Sequence, residues 1–481
     1  MKINLSVKIK KGTKKNKQQI SKIKNQIKIF FKFFIFLIIF ITHIKFKISI
    51  EKSYLENIEN FRQIKISINI HFNIKLTKKL IIGIYTYGLR FGGTERSTSL
   101  LISYINKINV FTVYLFTQEP KEDNEYIIPE NIKRIQIMNS KINNLIREIK
   151  KKKLDIFIYQ FPNFREIKII KKLKNVKVIF YEHSSFFYWI YCKYLNFKSI
   201  YKEYQTINYL ISMIPFQNDY IFKKWGIRSI LMDNFISYEY NKVIPSDLSS
   251  KNILMIGRGH DKLKRFELGI KAMDLIRKTI IDSKMKIISH LNGINHLRRL
   301  VKALKLENNV IFEGYTSIPE TYFKNSSLHI FPTISESFGL VLSETKIYGI
   351  PNILLGLDYV SISRGGTIII YDDEPKTIAN EAIKILINNE YRKKLGKEAR
   401  KSMKKFNNDL LLKRWVNLLL SIYNGDKYYQ EFLDKDNHIN KNESKAIITN
   451  QIKLLKMRIH NFTNITINNF ENFTFMENFK L

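Results

Sequence analysis

The stretch FPTISESFGLVLSETKIYGIP, Phe331 to Pro351, decides the fold. The apolar run Leu328–Phe331 reads as a buried strand, a polar turn through Ser335, Glu336 and Ser337 follows, and Phe338–Tyr348 takes up helical periodicity. Gly349 and Pro351 then stop the helix. A strand, a small-residue turn and a helix N-terminus bring unpaired N–H groups and the positive helix end to one point, which favours an anion. Two acids set this unit apart, Glu336 in the turn and Glu344 eight residues on. At a helical rise of about 1.5 Å per residue they stand roughly 12 Å apart along the axis, on either side of the anion. That spacing suits a diphosphate with hydroxyl-bearing groups at both ends.

The chain on either side alternates short β-rich runs with helical ones, a rhythm that argues for parallel sheets in an α/β protein. The first series of strands is Leu80–Thr86, Val110–Thr117, Leu154–Phe161, Val176–Glu182 and Tyr209–Pro215. The second is Asn252–Gly257, Lys284–His290, Asn309–Gly314, Ser327–Thr333, Asn352–Gly356 and Thr367–Tyr371. Two Rossmann-like domains, 79–237 and 251–409, joined by a linker at 238–250, would face each other with the site in the cleft at their strand ends. A closing helix is expected over 410–424, and an Asn-rich extension over 425–481.

Several segments fall where such a cleft needs them. GRGHDKLKRF (Gly257–Phe266) follows the first strand of the second half and offers Arg258, with Lys264 or Lys262 as a second cation. Fixed cations there would stabilise an anionic leaving group more in the transition state than in the ground state. His260 and Asp261 read as loop polars. Gly92-Gly93 follow the first strand of the first half, where glycine lets backbone approach a ligand closely. Glu95 and Arg96 behind them read either as part of that site or as a helix-surface ion pair. His183, in YEHSS at a strand end, is a candidate active-site histidine. The aromatic run Phe186–Tyr191 reads as core or as an acceptor platform. SRGGT (Ser363–Thr367) is a glycine turn before the last strand.

Glu-x7-Glu, with Ser-Phe-Gly-Leu after the first acid and Gly-x-Pro after the second, resembles the donor-site signature of retaining glycosyltransferases of the GT-B fold, family 4 (group 1 glycosyl transferases). The resemblance covers about Leu80 to Tyr423. It implies a hexose contact at Glu336 and a ribose contact at Glu344. It further implies donor contacts at Ser337, Phe338, Gly339 and Leu340, diphosphate contacts at Arg258 and Lys264, and Gly92, Gly93 and His183 facing the donor. The implied catalytic set is His183, Glu336, Arg258 and Lys264. The implied activity is transfer of a hexosyl group from a nucleotide diphosphate sugar to a glycan, lipid-linked or other acceptor, with retention. The leaving diphosphate would help deprotonate the incoming hydroxyl. No cofactor or metal is expected beyond the nucleotide-sugar co-substrate. The alternative is a non-catalytic binding or scaffold protein of the same fold at a membrane surface.

The 481 residues carry a formal charge of +39, but Lys, Ile and Asn are abundant along the whole chain. No zinc-finger spacing or RNA-recognition sequence accompanies the charge, so no nucleic-acid partner is expected. A single cysteine, Cys192, excludes an internal disulfide and a Cys-based metal site. A basic leader (1–28) with ten lysines and no acid precedes a hydrophobic segment (29–48) and a charged stem (49–78). Its uninterrupted heart, Phe33–Ile41, is shorter than the about 20 apolar residues of a full span. It reads as a marginal signal-anchor, an interfacial anchor or a cleaved targeting segment, and an uncleaved membrane anchor is expected.

Overall fold

The computed structural model describes residues 78–434 and Asn450, apart from 138–141, 161–168, 171, 186–187, 189–196 and 317. The expected leader, hydrophobic segment and nearly all of the stem lie outside the described residues, as do Cys192 and all of Phe186–Tyr191 except Tyr188. Among the described residues no helix is long and apolar enough to cross a membrane.

Two parallel sheets form the frame. The first has seven strands: β1 (Leu80–Thr86), β2 (Phe111–Thr117), β3 (Lys133–Gln136), β4 (Ile156–Tyr159), β5 (Lys177–Tyr181), β6 (Tyr209–Ser212) and β7 (Ser229–Leu231). The second has six: β8 (Asn252–Ile256), β9 (Lys284–Ile288), β10 (Val310–Phe312), β11 (Leu328–Phe331), β12 (Asn352–Leu355) and β13 (Thr367–Ile370). The orders are β3-β2-β1-β4-β5-β6-β7 and β10-β9-β8-β11-β12-β13. Each sheet therefore reverses direction once, between β1 and β4 in the first and between β8 and β11 in the second. Ligand crevices open outside the carboxyl ends of strands at such reversals.

The central strands are near-continuous apolar runs because helices cover both faces of a parallel sheet. In β1 every residue but Ile81 is buried. Two strands escaped the sequence pattern for physical reasons. Strand β3, KRIQ, is an edge strand with no buried residue, and β7 has three residues, too few to show a period. The core of the second half is built by Ile253, Met255, Leu328 and Ile330 of the sheet against Ile270, Met273 and Ile276 of the helix Phe266–Thr279. Gly366, at φ 61°, lies so close to the helix Asn389–Ser402 that a Cβ there would sit 2.1 Å from Leu395 O. Only glycine meets both constraints.

The helix Asn408–Asn424 returns to the first half. Asn408 accepts from Ile236 N–H at 2.9 Å and donates to Tyr104 Oη at 2.7 Å, and Arg414 donates to Leu231 O at 2.8 Å. Beyond Gly425, where sequence shows no pattern, a further helix runs from Asp426 to Asp434 and binds Tyr209 Oη through Asp426 at 2.8 Å.

One buried histidine makes stability pH-dependent. His329 of β11 is fully buried, with Nδ1 2.7 Å from Asn352 Oδ1 and Nε2 unpartnered. Burial pulls its pKa down to about 4. Below pH about 6.5 the unfolded chain binds a proton that the folded chain refuses, so stability falls as pH drops from 6.5 toward 4. His329→Gln should remove about 2 kcal/mol of the stability difference between pH 7 and pH 4.5, read by denaturant titration at both. Equal pH sensitivity in wild type and variant would refute this.

Candidate functional site

The turn after β11 and the loop after β8 meet at the reversal point of the second sheet. The helix following β11 runs over Leu340–Ile347, later than the Phe338 start its periodicity suggests. Gly339 at φ 83° forms its N-cap, a left-handed conformation that glycine adopts freely, and no side chain caps the amides. Glu336 thus lies ahead of the helix, and the 12 Å axial spacing expected for one continuous helix does not apply. Phe338 is fully buried, with its ring 5.8 Å from Phe406, and Leu340 is buried, so both can offer a ligand only their backbone. Ser337 is half-buried beside them. The N–H of Glu336 donates to Tyr359 Oη at 3.1 Å, which pins the turn.

The loop after β8 delivers the cations. Asp261, read from sequence as a loop polar, caps the single turn Lys262–Lys264 by accepting Leu263 N–H at 3.0 Å, and it holds Arg258 at 2.8 Å. That turn directs the two lysines differently. Lys262 is exposed, whereas Lys264 forms an ion pair with Glu336. The two side chains keep only 18% and 16% exposure, so the pair is shielded from water on most sides. Arg258 stays at the mouth, with its side chain 47% exposed and so accessible to a ligand.

Glu344 is positioned from both halves. Its side chain is fully buried; Oε1 lies 2.8 Å from Arg96 Nη2 and accepts Ser237 Oγ at 2.9 Å. Oε2 has no hydrogen-bond partner. Burial pushes this carboxyl up, while the Arg96 guanidinium and the Ser237 hydroxyl pull it down. A buried carboxylate oxygen left unpaired is costly unless a ligand satisfies it. Of the two sequence readings of Arg96, the helix-surface ion pair does not hold: the side chain is largely buried and pairs with Glu344, not with Glu95. The Glu95 carboxylate folds back over Gly92, where an added Cβ would lie 1.7 Å from its Oε2.

Across the cleft, the loop after β1 carries Gly92 as N-cap and Gly93 as first residue of the helix Gly93–Ile105. A Cβ on Gly93 would meet nothing within 4 Å, so this backbone faces open space. His183 follows β5, with Nε2 2.7 Å from Gln160 Oε1. Gln160 Nε2 donates to Thr98 Oγ1, and Thr98 donates to Thr94 O. That chain fixes the polarity: His183 Nε2–H is the donor and Nδ1 is left as an acceptor. Burial lowers its pKa to about 3, so the ring is neutral throughout the physiological range. Ser185 Oγ lies 2.9 Å from Ser335 Oγ, joining the His183 loop to the Glu336 turn.

Sequence reasoning missed Arg96 as the partner of Glu344, along with Ser237, Gln160, Tyr359 and Asp261. Only Asp261 left a signal, the Asp-x-Leu of a capped turn; the others are brought in by tertiary contacts. A cavity of about 710 Å³ opens elsewhere, along the helix Asn408–Asn424 beside Asp233, Lys405 and Arg414; Phe406 on its wall is the ring that meets Phe338. Among the described residues no group of three or more His, Cys, Asp or Glu is placed to hold a metal.

Two parallel α/β halves with these loops at their sheet reversals define the GT-B class of architecture. Residues 238–402 match the family model of glycosyl transferases group 1, and the chain carries that group 1 domain as its second half. It is 25% identical over 188 residues to the poly(glycerol-phosphate) alpha-glucosyltransferase of Bacillus subtilis (strain 168), covering 38% of this chain and 26% of that protein. The chain spans between 26% and 48% of the length of the first three curated relatives it matches. The fold is shared with sucrose-phosphate synthase from Thermosynechococcus elongatus at TM-score 0.61 and 15% identity, over 72% of this chain and 100% of that one. It is also shared with TarM of S. aureus, in complex with alpha-GlcNAc-glycerol and UDP, at TM-score 0.60 and 13% identity, over 71% and 99%.

Proposed function

We propose that this protein transfers a hexosyl group from a nucleoside diphosphate sugar to an acceptor hydroxyl, with retention of configuration. The observation that carries this reading is the Lys264–Glu336 pair beside the uncapped amides of the helix Leu340–Ile347. A cation for a diphosphate and a carboxylate for sugar hydroxyls meet there, at the sheet reversal where nucleotides bind. Donor entry would replace the ion pair, Lys264 turning to phosphate and Glu336 to the hexose. Arg258 supplies a second cation, and Glu344 takes the ribose hydroxyls.

In the reaction the acceptor oxygen bonds to the anomeric carbon on the face from which the diphosphate leaves. The bond from that carbon to the diphosphate oxygen breaks, and the acceptor proton passes to the departing diphosphate. Charge grows on that group, and Lys264, Arg258 and the helix amides stabilise it. His183, neutral and with Nδ1 open as an acceptor, orients a sugar hydroxyl and is not the acid or base. Its replacement by alanine should lower kcat/KM about tenfold, by an equal factor at every pH from 5 to 8. A loss confined to one side of that range would refute the orienting role.

The acceptor is proposed to be a glycan or a lipid-linked chain, in keeping with relatives named for glycopolymer substrates. The hydrophobic segment 29–48 is proposed to hold the enzyme at a membrane. The primary test is release of nucleoside diphosphate from UDP-, GDP- and ADP-hexoses, with and without glycan acceptors. Turnover with one donor supports the reading; binding without turnover across the panel would instead favour the scaffold alternative.

A further inference from the structure

We propose that Arg96 is a positioning residue that latches the cleft, holding the Glu344 carboxylate of the second half from the first half so that donor capture and closure occur together. The inference rests on the donor role proposed for Glu344. The two side chains are 17% and 0% exposed and 2.8 Å apart, and Ser237, at the junction of the halves, binds the same carboxylate oxygen. A cation is what makes a buried carboxylate tolerable; without it the charge is uncompensated.

Arg96 is itself held from both sides. Its guanidinium lies 5.7 Å from the Tyr126 ring of the first half and is a close electrostatic neighbour of the Tyr238 hydroxyl at the start of the second. The Tyr126 hydroxyl lies beside that of Tyr315, which has no hydrogen-bond partner. Beside it, Phe91 reaches across to His290 and Tyr315, at centroid distances of 4.0 and 5.0 Å. Phe91 has φ 65°, a left-handed conformation costly for a residue with a Cβ, so these contacts keep it there. The three links lie together along one seam, and Arg96 is its charged member.

With the pair closed, Glu344 is fully covered and only Oε2 lacks a partner. A ligand diol reaches that oxygen when the halves part. Closure re-forms the Arg96 bond to Oε1 and thereby aims Oε2 at the diol. Donor affinity and closure then share one coupling free energy.

Full-length wild type, Arg96→Ala and Arg96→Lys are compared by calorimetry with UDP, GDP and ADP, and by donor KM and kcat. Arg96→Ala should weaken nucleoside diphosphate binding and raise donor KM about 10- to 100-fold while kcat at saturating donor changes less than about threefold; Arg96→Lys should recover part of the affinity. X-ray scattering should show compaction on ligand addition in wild type and not in Arg96→Ala. If wild type binds none of the three diphosphates, the donor reading itself fails. If wild type binds and Arg96→Ala binds equally well, the latch alone is overturned. Should Arg96→Ala fail to fold, Arg96→Lys decides: unchanged affinity and unchanged compaction would also overturn the latch.

Discussion

Replacing Glu336 by glutamine is expected to lower glycosyl transfer by about 10²- to 10³-fold while leaving the protein folded. The amide keeps the shape of the side chain but loses the charge that Lys264 now matches. Donor hydroxyls would lose a charge-assisted acceptor, whose bonds are roughly twice as strong as neutral ones. Fold retention follows from how the turn is held. Its backbone anchor is the Glu336 N–H to Tyr359 Oη bond, which the substitution leaves in place, and Ser335 keeps its contact with Ser185. Lys264 remains partly solvated and keeps the Phe331 ring 5.6 Å from its ammonium. Because the pair is largely shielded from water, the stability loss should be about 1–3 kcal/mol, with the Gln amide still able to accept from Lys264. Single-turnover transfer with a donor accepted by wild type, alongside thermal unfolding of both proteins, decides it. Wild-type turnover in Glu336→Gln would remove the central argument for this site.

Much of the frame could be read from sequence because parallel strands buried on both faces are apolar runs with sharp ends. Strand β1 coincides with the run Leu80–Thr86, and each strand of the second sheet falls inside its expected run. The exceptions, β3 and β7, lack what makes the others visible: one is polar and at an edge, the other too short. Within the site, the positions of Glu336, Arg258 and Gly92-Gly93 follow from local chain order, since each sits in the loop after a strand. The pairings do not. That Lys264 rather than Lys262 meets Glu336 depends on the Asp261-capped turn, and that Arg96 meets Glu344, 248 residues further along the chain, depends on how the two halves are brought together. No local pattern encodes the second kind of contact. The neutral state of His183 is likewise hidden in sequence, because it comes from burial, and so is its tautomer, which the Thr98–Gln160 relay sets.

The latch and the turn both require the two halves to be held in register, and the helix Asn408–Asn424 supplies that restraint. Trp415 is its fully buried anchor, with the indole packed edge-on to Tyr181 of β5 at 5.3 Å. Tyr181 in turn hydrogen-bonds Asn234 at 2.9 Å, and Asn234 accepts Ser97 Oγ of the helix that carries Arg96. Trp415→Ala should therefore cost about 3–5 kcal/mol, the range for emptying a large aromatic site, and should weaken donor binding through Arg96. Trp415→Phe separates packing from polarity. The indole Nε1 has no hydrogen-bond partner, so a phenyl ring forfeits no bond and loses only volume. Its cost should stay near 1 kcal/mol, with donor affinity close to wild type. Denaturant unfolding and nucleoside diphosphate titration of both variants test the chain of contacts as a whole. If Trp415→Ala unfolds earlier yet binds donor like wild type while still folded, the helix stabilises the halves without setting their register, and the route from Trp415 to Arg96 is wrong.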